Sequence, residues 1–393
     1  MIFMSWEEKN LANLRKEFVL DVEQAEKSFS AICRDYNITR RTGYKWYNRY
    51  LNNESLENRS KRPFHTPNKI DEDMEKSIKE MRSRHPYWGA KKIRKIMENS
   101  DIKNLPSVST FTNVFRRNAQ ISKEESEKRE QYIRFEKERP NEMWQMDFKG
   151  QFLLLDGVTY CFPLTIKDDK SRMGIATVAM TNQQTEPVKN ALINAFKEYG
   201  MPESILSDNG KPWGNSTKGS YTTLEVWLME QGILPIHCSI KHPQTQGKCE
   251  NFNKILKNEL LKYENYYTPE ETQKGFDRWR NQYNTVRPHE ALDMKTPSEC
   301  YEKSPRKYCE KIEEYNYPEN AQLLKVDSKG YIRINKKPYF FSEGFRQKYV
   351  ALIENPENNN QLNIQFREFI IAKFDVKLNK ITKKFARRIN KTN

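Results

Sequence analysis

The stretch "EMWQMDFKGQFLLLDGVTYCFPLTIKDDKSRMGIATVAMT" (Glu142–Thr181) holds three apolar runs, near 143–153, 158–167 and 173–180. Gly157 punctuates the first interval and Asp168–Arg172 the second. Apolar runs of strand length between turn residues predict a meander of three strands. The next segment, "TEPVKNALINAFKEYG" (Thr185–Gly200), reads as a helix, with Thr185 as N-cap, Pro187 in the first turn and Gly200 just past the end. A short strand in "ESILSDNG", a helix in "YTTLEVWLMEQG" and a strand in "ILPIHC" follow, and then "HPQTQGKCENFNKILKNEL" (His242–Leu260) turns from a polar, flexible stretch into a helix. Strands alternating with helices predict a mixed sheet covered by helices on its faces.

Three acids stand out in this region. Asp147 lies inside the first apolar run, amid Trp144, Met146 and Phe148, where an acid needs a metal or a cation as partner. Asp208 sits where the fourth strand ends, and sites in open α/β sheets assemble at strand C-termini. Glu250 opens the helix after the flexible stretch, with Asn253, Lys254 and Lys257 at helical spacing behind it. Spacing alone does not bring the three acids together. Asp168, Asp169 and Asp156 fall in turns and read as structural acids, the first two in a turn with internal salt bridging.

The flanks differ in texture. "FSAICRDYNI" (Phe29–Ile38) and "TRRTGYKWYNRYL" (Thr39–Leu51) form a helix, a tight turn and a second helix. Thr39 is the expected N-cap, and Tyr44, Tyr47 and Leu51 are the expected inner stripe. This layout predicts a helix-turn-helix over 1–58, with Arg40, Arg41, Thr42 and Lys45 turned toward a DNA major groove. A basic linker follows at 59–70, where Arg59, Lys61 and Arg62 suit a minor groove. A second helical unit at 71–120, with Ser107 or Ser109 capping its last helix and Arg116 and Arg117 at that helix's end, predicts a second helix-turn-helix in tandem. A charged linker spans 121–140. Short alternating strands over 320–376 predict a small antiparallel barrel, and the acid-free, lysine-rich stretch 377–393 reads as a disordered basic tail.

Composition points the same way. The 393 residues carry 68 Lys and Arg against 53 Asp and Glu, a net charge of +15, which favours a polyanionic partner such as nucleic acid. The hydrophobic fraction is 36%, and no stretch approaches the ~20 apolar residues of a membrane span. The acidic residues close to Met1 exclude the apolar core of a signal peptide, so a cytoplasmic, nucleoid-associated protein with no membrane contact is expected. The six Cys include no CxxC pair, so no disulfide framework is expected. His237, Cys238, His242 and Cys249 lack the spacing of a zinc finger or ribbon and read as ordinary strand and loop residues.

Taken together, "WQMDF", "LSDNGKPW", "KHPQTQGKCENFNKILKNEL" and "YNTVRPHEALDMKTPSECY" resemble, in order, the DDE transposases and retroviral-type integrases, in particular bacterial insertion-sequence transposases. The tandem helix-turn-helix front and the "RSKRP" linker are similar as well. The resemblance implies a multidomain chain: an all-α tandem helix-turn-helix front, a central RNase H-like α/β core at 141–303, and a small all-β barrel. It implies Asp147, Asp208 and Glu250 as a catalytic triad holding two Mg²⁺ or Mn²⁺ ions, since hard cations take carboxylate oxygens. Lys248, Asn253, Lys254 and Lys257 would then contact DNA phosphates, "HPQTQG" would be a mobile active-site loop, and Trp213 and Arg287–His289 would shape the site, with "RPHEAL" packing a C-terminal helix onto the core. The implied substrates are double-stranded element ends and target DNA, with a homodimer or higher oligomer on paired ends. A DNA-binding regulator derived from a transposase and a plain metal-dependent nuclease are the alternatives. Two departures from retroviral integrases point to the bacterial branch: a longer Asp208–Glu250 interval, with the excess in "GNSTKGSYTT", and a front without a His/Cys zinc module.

Overall fold

A computed structural model describes residues 11–59, 70–121, 136–214, 220–237, 247–356, 358–382 and 385–389. The chain divides into two compact units, Met1–Ile70 and Asp71–Asn393. Lys61, Arg62, most of "HPQTQG", Cys238 and Lys383, Lys384 and Lys391 lie outside the described residues.

In the first unit, α1 (Leu11–Gln24), α2 (Phe29–Asp35) and α3 (Arg40–Leu51) close over Phe18, Val19, Ile32, Cys33, Trp46 and Leu56. The Thr39 hydroxyl accepts from the Thr42 amide at 3.2 Å and caps α3 as expected. The inner face of α3 departs from the expected stripe. Gly43 and Trp46 are buried, whereas Tyr44 and Leu51 are 52% and 57% exposed. The reason is a close helix approach: a Cβ at Gly43 would stand 2.6 Å from Cys33 Sγ, so the glycine marks the contact face.

The second unit begins with α4 (Glu72–Arg84), α5 (Ala90–Asn99) and α6 (Val108–Arg117). Ser107, rather than Ser109, caps α6 by accepting from the Thr110 amide. Arg117 donates to Glu75 at 2.7 Å and ties α6 to α4.

The central sheet contains β1 (Trp144–Phe148), β2 (Phe152–Leu153), β3 (Tyr160–Asp168), β4 (Gly174–Met180), β5 (Ser204–Ser207) and β6 (Leu234–His237). The first apolar run therefore yields two strands, because Gly150 at φ +92° breaks it. β3 lies between β4 and β1, antiparallel to both, β2 pairs with the start of β3, and β1, β5 and β6 run parallel. On one face lie α7 (Thr185–Tyr199) and α8 (Thr223–Glu230), whose Val188, Leu192, Phe196, Leu224 and Leu228 pack with Trp144, Met146, Leu164 and Ile166. Thr185 is the first helical residue of α7 and Gln184 is the N-cap, one position before the expected cap. On the other face lie α9 (Gly247–Leu256), continuing as a π-helical turn over Lys257–Leu261, and α10 (Pro269–Thr285). α10 also closes the free edge of β4: Gln273, Arg280 and Asn284 bond the main chain of Ala179, Thr177, Ile175 and Gly174. An otherwise unpaired strand edge is thereby covered.

An extended segment then crosses the core, with Arg306 bonding the carbonyls of Gln231 and Gly232. It leads to β7 (Gln322–Lys325), β8 (Tyr331–Ile334), β9 (Lys337–Phe340), β10 (Tyr349–Glu354), β11 (Gln361–Phe366), β12 (Phe369–Asp375), β13 (Lys380–Ile381) and β14 (Arg387–Arg388). These form an antiparallel sheet in the order β13-β12-β11-β10-β7 plus the hairpin β8-β9, a half-barrel rather than a closed one. Its core is continuous with Tyr221, Val226 and Met229 at α8. The expected disordered tail is corrected over its described part: β13 and β14 pair with β12, and Arg388 donates to the carbonyls of Gly232 and Glu203. Its Arg388 shares main-chain acceptors of the core, the Gly232 carbonyl with Arg306 and the Glu203 carbonyl with the Leu234 amide.

Among the described residues no helix is long and apolar enough to cross a membrane. A Cβ at Gly344 would stand 2.4 Å from the Tyr221 carbonyl oxygen. Gly344→Ala is therefore expected to loosen the half-barrel from α8 and to cost on the order of 2 kcal/mol, read as a lower denaturation midpoint.

Candidate active site

Alternation along the strands sorts the site residues. Trp144 and Met146 enter the apolar core beneath α7, and Gln145 and Asp147 turn to the opposite face, beneath α9. On β3, Leu164 and Ile166 do the first, Thr165 and Lys167 the second. Thr165 is the register partner of Asp147. The face under α9 thus carries a row of polar groups, and each bonds the helix. The Cys249 amide donates to Gln145 Oε1 at 3.2 Å. Lys167 Nζ donates to the Lys248 carbonyl at 3.3 Å. Thr165 Oγ1 donates to Asn253 Oδ1 at 2.8 Å, and Asn253 Nδ2 donates to Asp147 Oδ2 at 2.9 Å.

These bonds set Glu250, which is exposed, on the turn of α9 next to Asp147. Asp208 follows the last residue of β5, and its Oδ1 accepts from the Gly210 amide at 3.0 Å. The three acids share one field. Burial, then the charge of Asp208, then that of Glu250, push the Asp147 carboxyl up to about 6, against the Phe148 amide and Asn253, which pull it down. Among the described residues no three His, Cys, Asp or Glu side chains stand close enough to chelate one ion. The donor set still suits a hard divalent cation: all oxygen, strand-end and helix-borne, and mutually repelling until a positive charge enters.

Two expected DNA contacts are corrected. Asn253 is 7% exposed, and its amide is committed to Asp147 and Thr165, so it orients a carboxylate rather than a phosphate. Lys248 Nζ is paired with Asp169 Oδ2 at 2.7 Å, and burial lowers its pKa. Lys254 and Lys257 are exposed beyond Glu250. Arg40, Arg41 and Lys45 are exposed on α3, Thr42 is half-buried at its start, and Arg116 is exposed on α6. Arg59 is exposed and pairs with Glu54 at 2.5 Å.

The turn acids are structural. Asp168 accepts from the Asn141 and Ser171 amides and the Ser171 hydroxyl, Asp169 from Gln145 and Lys248, and Asp156 from the Val158 and Thr159 amides. Trp213 stacks on Phe148, beside Asp147, at 5.1 Å. In "RPHEAL", Arg287 donates to Glu259 at 2.9 Å, and burial holds the His289 pKa below its ordinary value. That segment is a loop with a short 3-10 turn, Glu290–Leu292, after α10, and its His289 packs edge-on to Tyr283 of that helix.

Sequence reading missed two features. Lys149, two residues past Asp147, is half-buried, and burial followed by the charge of Lys257 lowers its pKa. Extending the strand alternation by one step would have found it. His237, read as an ordinary strand residue, stands between Glu225 Oε1 and the Asp208 carbonyl, at 2.9 Å from each. Burial lowers its pKa, but the Glu225 carboxylate and the Asp208 backbone outweigh that and hold it above the ordinary value. Both ring nitrogens face acceptors, so both contacts are satisfied only when both nitrogens carry a proton. No local sequence signal pairs residues 225 and 237.

Residues 137–243 and 231–297 match families described as integrase core domain. Residues 14–64 match a helix-turn-helix domain family and 42–115 a homeodomain-like one. A protein of insertion element IS407 from Burkholderia multivorans is 27% identical over 160 residues, 41% of this chain and 55% of that protein. A protein of insertion element IS136 from Agrobacterium fabrum is 29% identical over 137 residues, 33% of this chain and 66% of that protein. The chain is thus similar to proteins of bacterial insertion elements, and residues 137–297 carry its likeness to an integrase core. It spans about half to two thirds of the length of the curated relatives it matches. Among solved structures, the HTLV-2 integrase catalytic core domain aligns with a TM-score of 0.32 and 17% identity, over 41% of this chain and 97% of that one. A chain of a simian T-cell lymphotropic virus intasome in complex with PP2A regulatory subunit B56 gamma aligns with a TM-score of 0.36 and 16% identity, over 75% of this chain and 99% of that one.

The raised Asp147 value has a consequence for stability. Its folded pKa of about 6 lies above the unfolded value of about 4, so the metal-free protein loses stability as pH rises through that window, fully above about 6. Asp147→Asn is expected to stabilise the metal-free protein by on the order of 1 kcal/mol at pH 8 and by much less near pH 4, read from urea denaturation in EDTA.

Proposed function

We propose that this protein is a DNA transposase that binds the terminal inverted repeats of its element, nicks their 3′ ends and joins them to target DNA by in-line attack on phosphodiesters. The observation that carries the reading is the convergence on Asp147 at the end of β1: Asp208, just past β5, and Glu250, in the first turn of α9, both act on its carboxyl although they lie 61 and 103 residues further along the sequence. Asp147, Asp208 and Glu250 would hold two Mg²⁺ or Mn²⁺ ions, which supply activation of the attacking oxygen and neutralisation of the leaving 3′-oxygen. Asn253 and Thr165 orient the Asp147 carboxylate for that role. Lys254 and Lys257, exposed beyond Glu250, would hold the DNA phosphates, and Lys149 would add charge beside Lys257. The helix-turn-helix units carry end recognition through Arg40, Arg41, Thr42 and Lys45 on α3 and Arg116 on α6, with Arg59, Lys61 and Arg62 in the adjoining minor groove. Joining two ends calls for a dimer or larger assembly.

A strand-resolved assay on labelled end duplexes tests the reading. Wild type is expected to nick the 3′ end and to yield longer joined products with Mg²⁺, and neither with EDTA. Glu250→Gln and Asp208→Asn are expected to abolish both products while end binding stays within about three-fold. End binding without cleavage by wild type would support a regulator instead, and nicking without joined products a nuclease.

Recognition has its own test. Replacing Arg40 and Arg41 together by Ala is expected to weaken end binding by about 1–3 kcal/mol per lost base contact and to reduce the preference for end over random DNA. An unchanged preference would place base recognition elsewhere.

A further inference from the structure

The β5–β6 ladder ends with the pair Ser207 and His237. Asp208 is the next residue. The His237 ring lies against its peptide, with Nδ1 2.9 Å from the Asp208 carbonyl oxygen. The ring is itself held from behind, since Nε2 lies 2.9 Å from Glu225 Oε1. Glu225 is 5% exposed and cannot drift. Its other oxygen accepts from the Thr222 amide at 2.6 Å in the capping box that opens α8. The loop after Asp208 folds back over the same ring. Gly214 donates to the Gly210 carbonyl, and a Cβ on Gly214 would stand 3.1 Å from His237 Cε1. Trp213, whose carbonyl accepts from Thr222 Oγ1, reaches across to stack on Phe148 next to Asp147.

A single chain of contacts therefore runs from a buried acid on α8, through an imidazole on β6, to the peptide that carries the second triad carboxylate. Among the described residues the Asp208 side chain is further restrained by the Gly210 amide, which belongs to the same loop. Rotation of the Asp208 peptide would swing the carboxylate away from Asp147.

We propose that His237, held by Glu225, is a positioning residue that fixes the Asp208 peptide and so the direction in which Asp208 presents its carboxylate to a divalent cation. This rests on the metal-dependent reading above. Groups that orient ligands from behind characteristically change metal affinity or activity by about 10–100-fold when replaced.

The test uses the full chain as wild type, His237→Gln and Glu225→Gln. Gln at residue 225 keeps the capping box, which accepts Gln at that position, so this variant retains the fold of α8 while losing the charge behind the ring. Mn²⁺ affinity is measured by titration calorimetry without DNA. Single-turnover nicking is measured against Mg²⁺ concentration, and end binding and melting temperature on the same preparations. The expected result is Mn²⁺ affinity about 10–100-fold weaker in His237→Gln. The Mg²⁺ half-saturation for nicking should rise by the same factor, with end binding unchanged and Glu225→Gln shifted in the same direction. A purely structural histidine would lower the melting temperature and leave both metal readouts at wild-type values, and that result overturns the proposal even though wild type nicks normally. A wild type that neither binds Mn²⁺ nor nicks would overturn the metal-dependent reading and this proposal with it.

Discussion

The seating of α9 on the polar face of β1 and β3 is the constraint on which the rest depends. A helix laid on a sheet is ordinarily held by apolar contact, and here Phe252 and Leu256 supply it toward α10. At the other end of the helix the sheet offers Gln145, Asp147, Thr165 and Lys167 instead, and the helix answers with the Cys249 amide, the Lys248 carbonyl and Asn253. Buried polar groups have directional demands that apolar packing lacks, and an unmet one costs about 1–3 kcal/mol. The register of α9 over the sheet is therefore narrow, and with it the placement of Glu250 relative to Asp147. Lys167 shows the cost of this arrangement. Among the described residues it has no carboxylate partner; it lies over the Phe252 and Tyr283 rings, and burial pushes its pKa down to about 7.

The flanking modules grip the two helices that govern the acids. The turn before α5 docks on the far end of α9, where Trp88 Nε1 and Arg287 both donate to Glu259 within the π-helical turn. The half-barrel shares its core with α8, the helix that supplies Glu225. Each of these two helices, α9 beside Asp147 and α8 behind Asp208, is thus also the anchor of a neighbouring module. The docking on α9 uses the turn and not α6, so Asn113 and Arg116 on α6 stay exposed.

Much of this was legible along the chain. Strand alternation and turn residues marked the sheet, caps and glycines bounded the helices, and Asp147 declared itself as an acid in an apolar run. Legibility failed where a residue's partner lies far away in sequence. Asn253 and Lys248 looked like free polar groups on a helix face, because Asp147 is 106 residues from the first and Asp169 79 from the second. The inner face of α3 was misread because a glycine carries no hydrophobic signal, although it marks the tightest contact there. The basic tail looked disordered because its partners are main-chain carbonyls, which composition does not register.

By itself the sequence determined the order of elements, the two helix-turn-helix units, the strand-borne and helix-borne acids and the basic charge, since each is written in local pattern with a period of 2 or 3.6 residues. The tertiary structure alone decided which acids share a field, which cations are already paired, and that His237 and Glu225 stand behind Asp208. Those are facts of distance between segments that only the folded sheet and its helices bring together, and no periodicity within one segment encodes them.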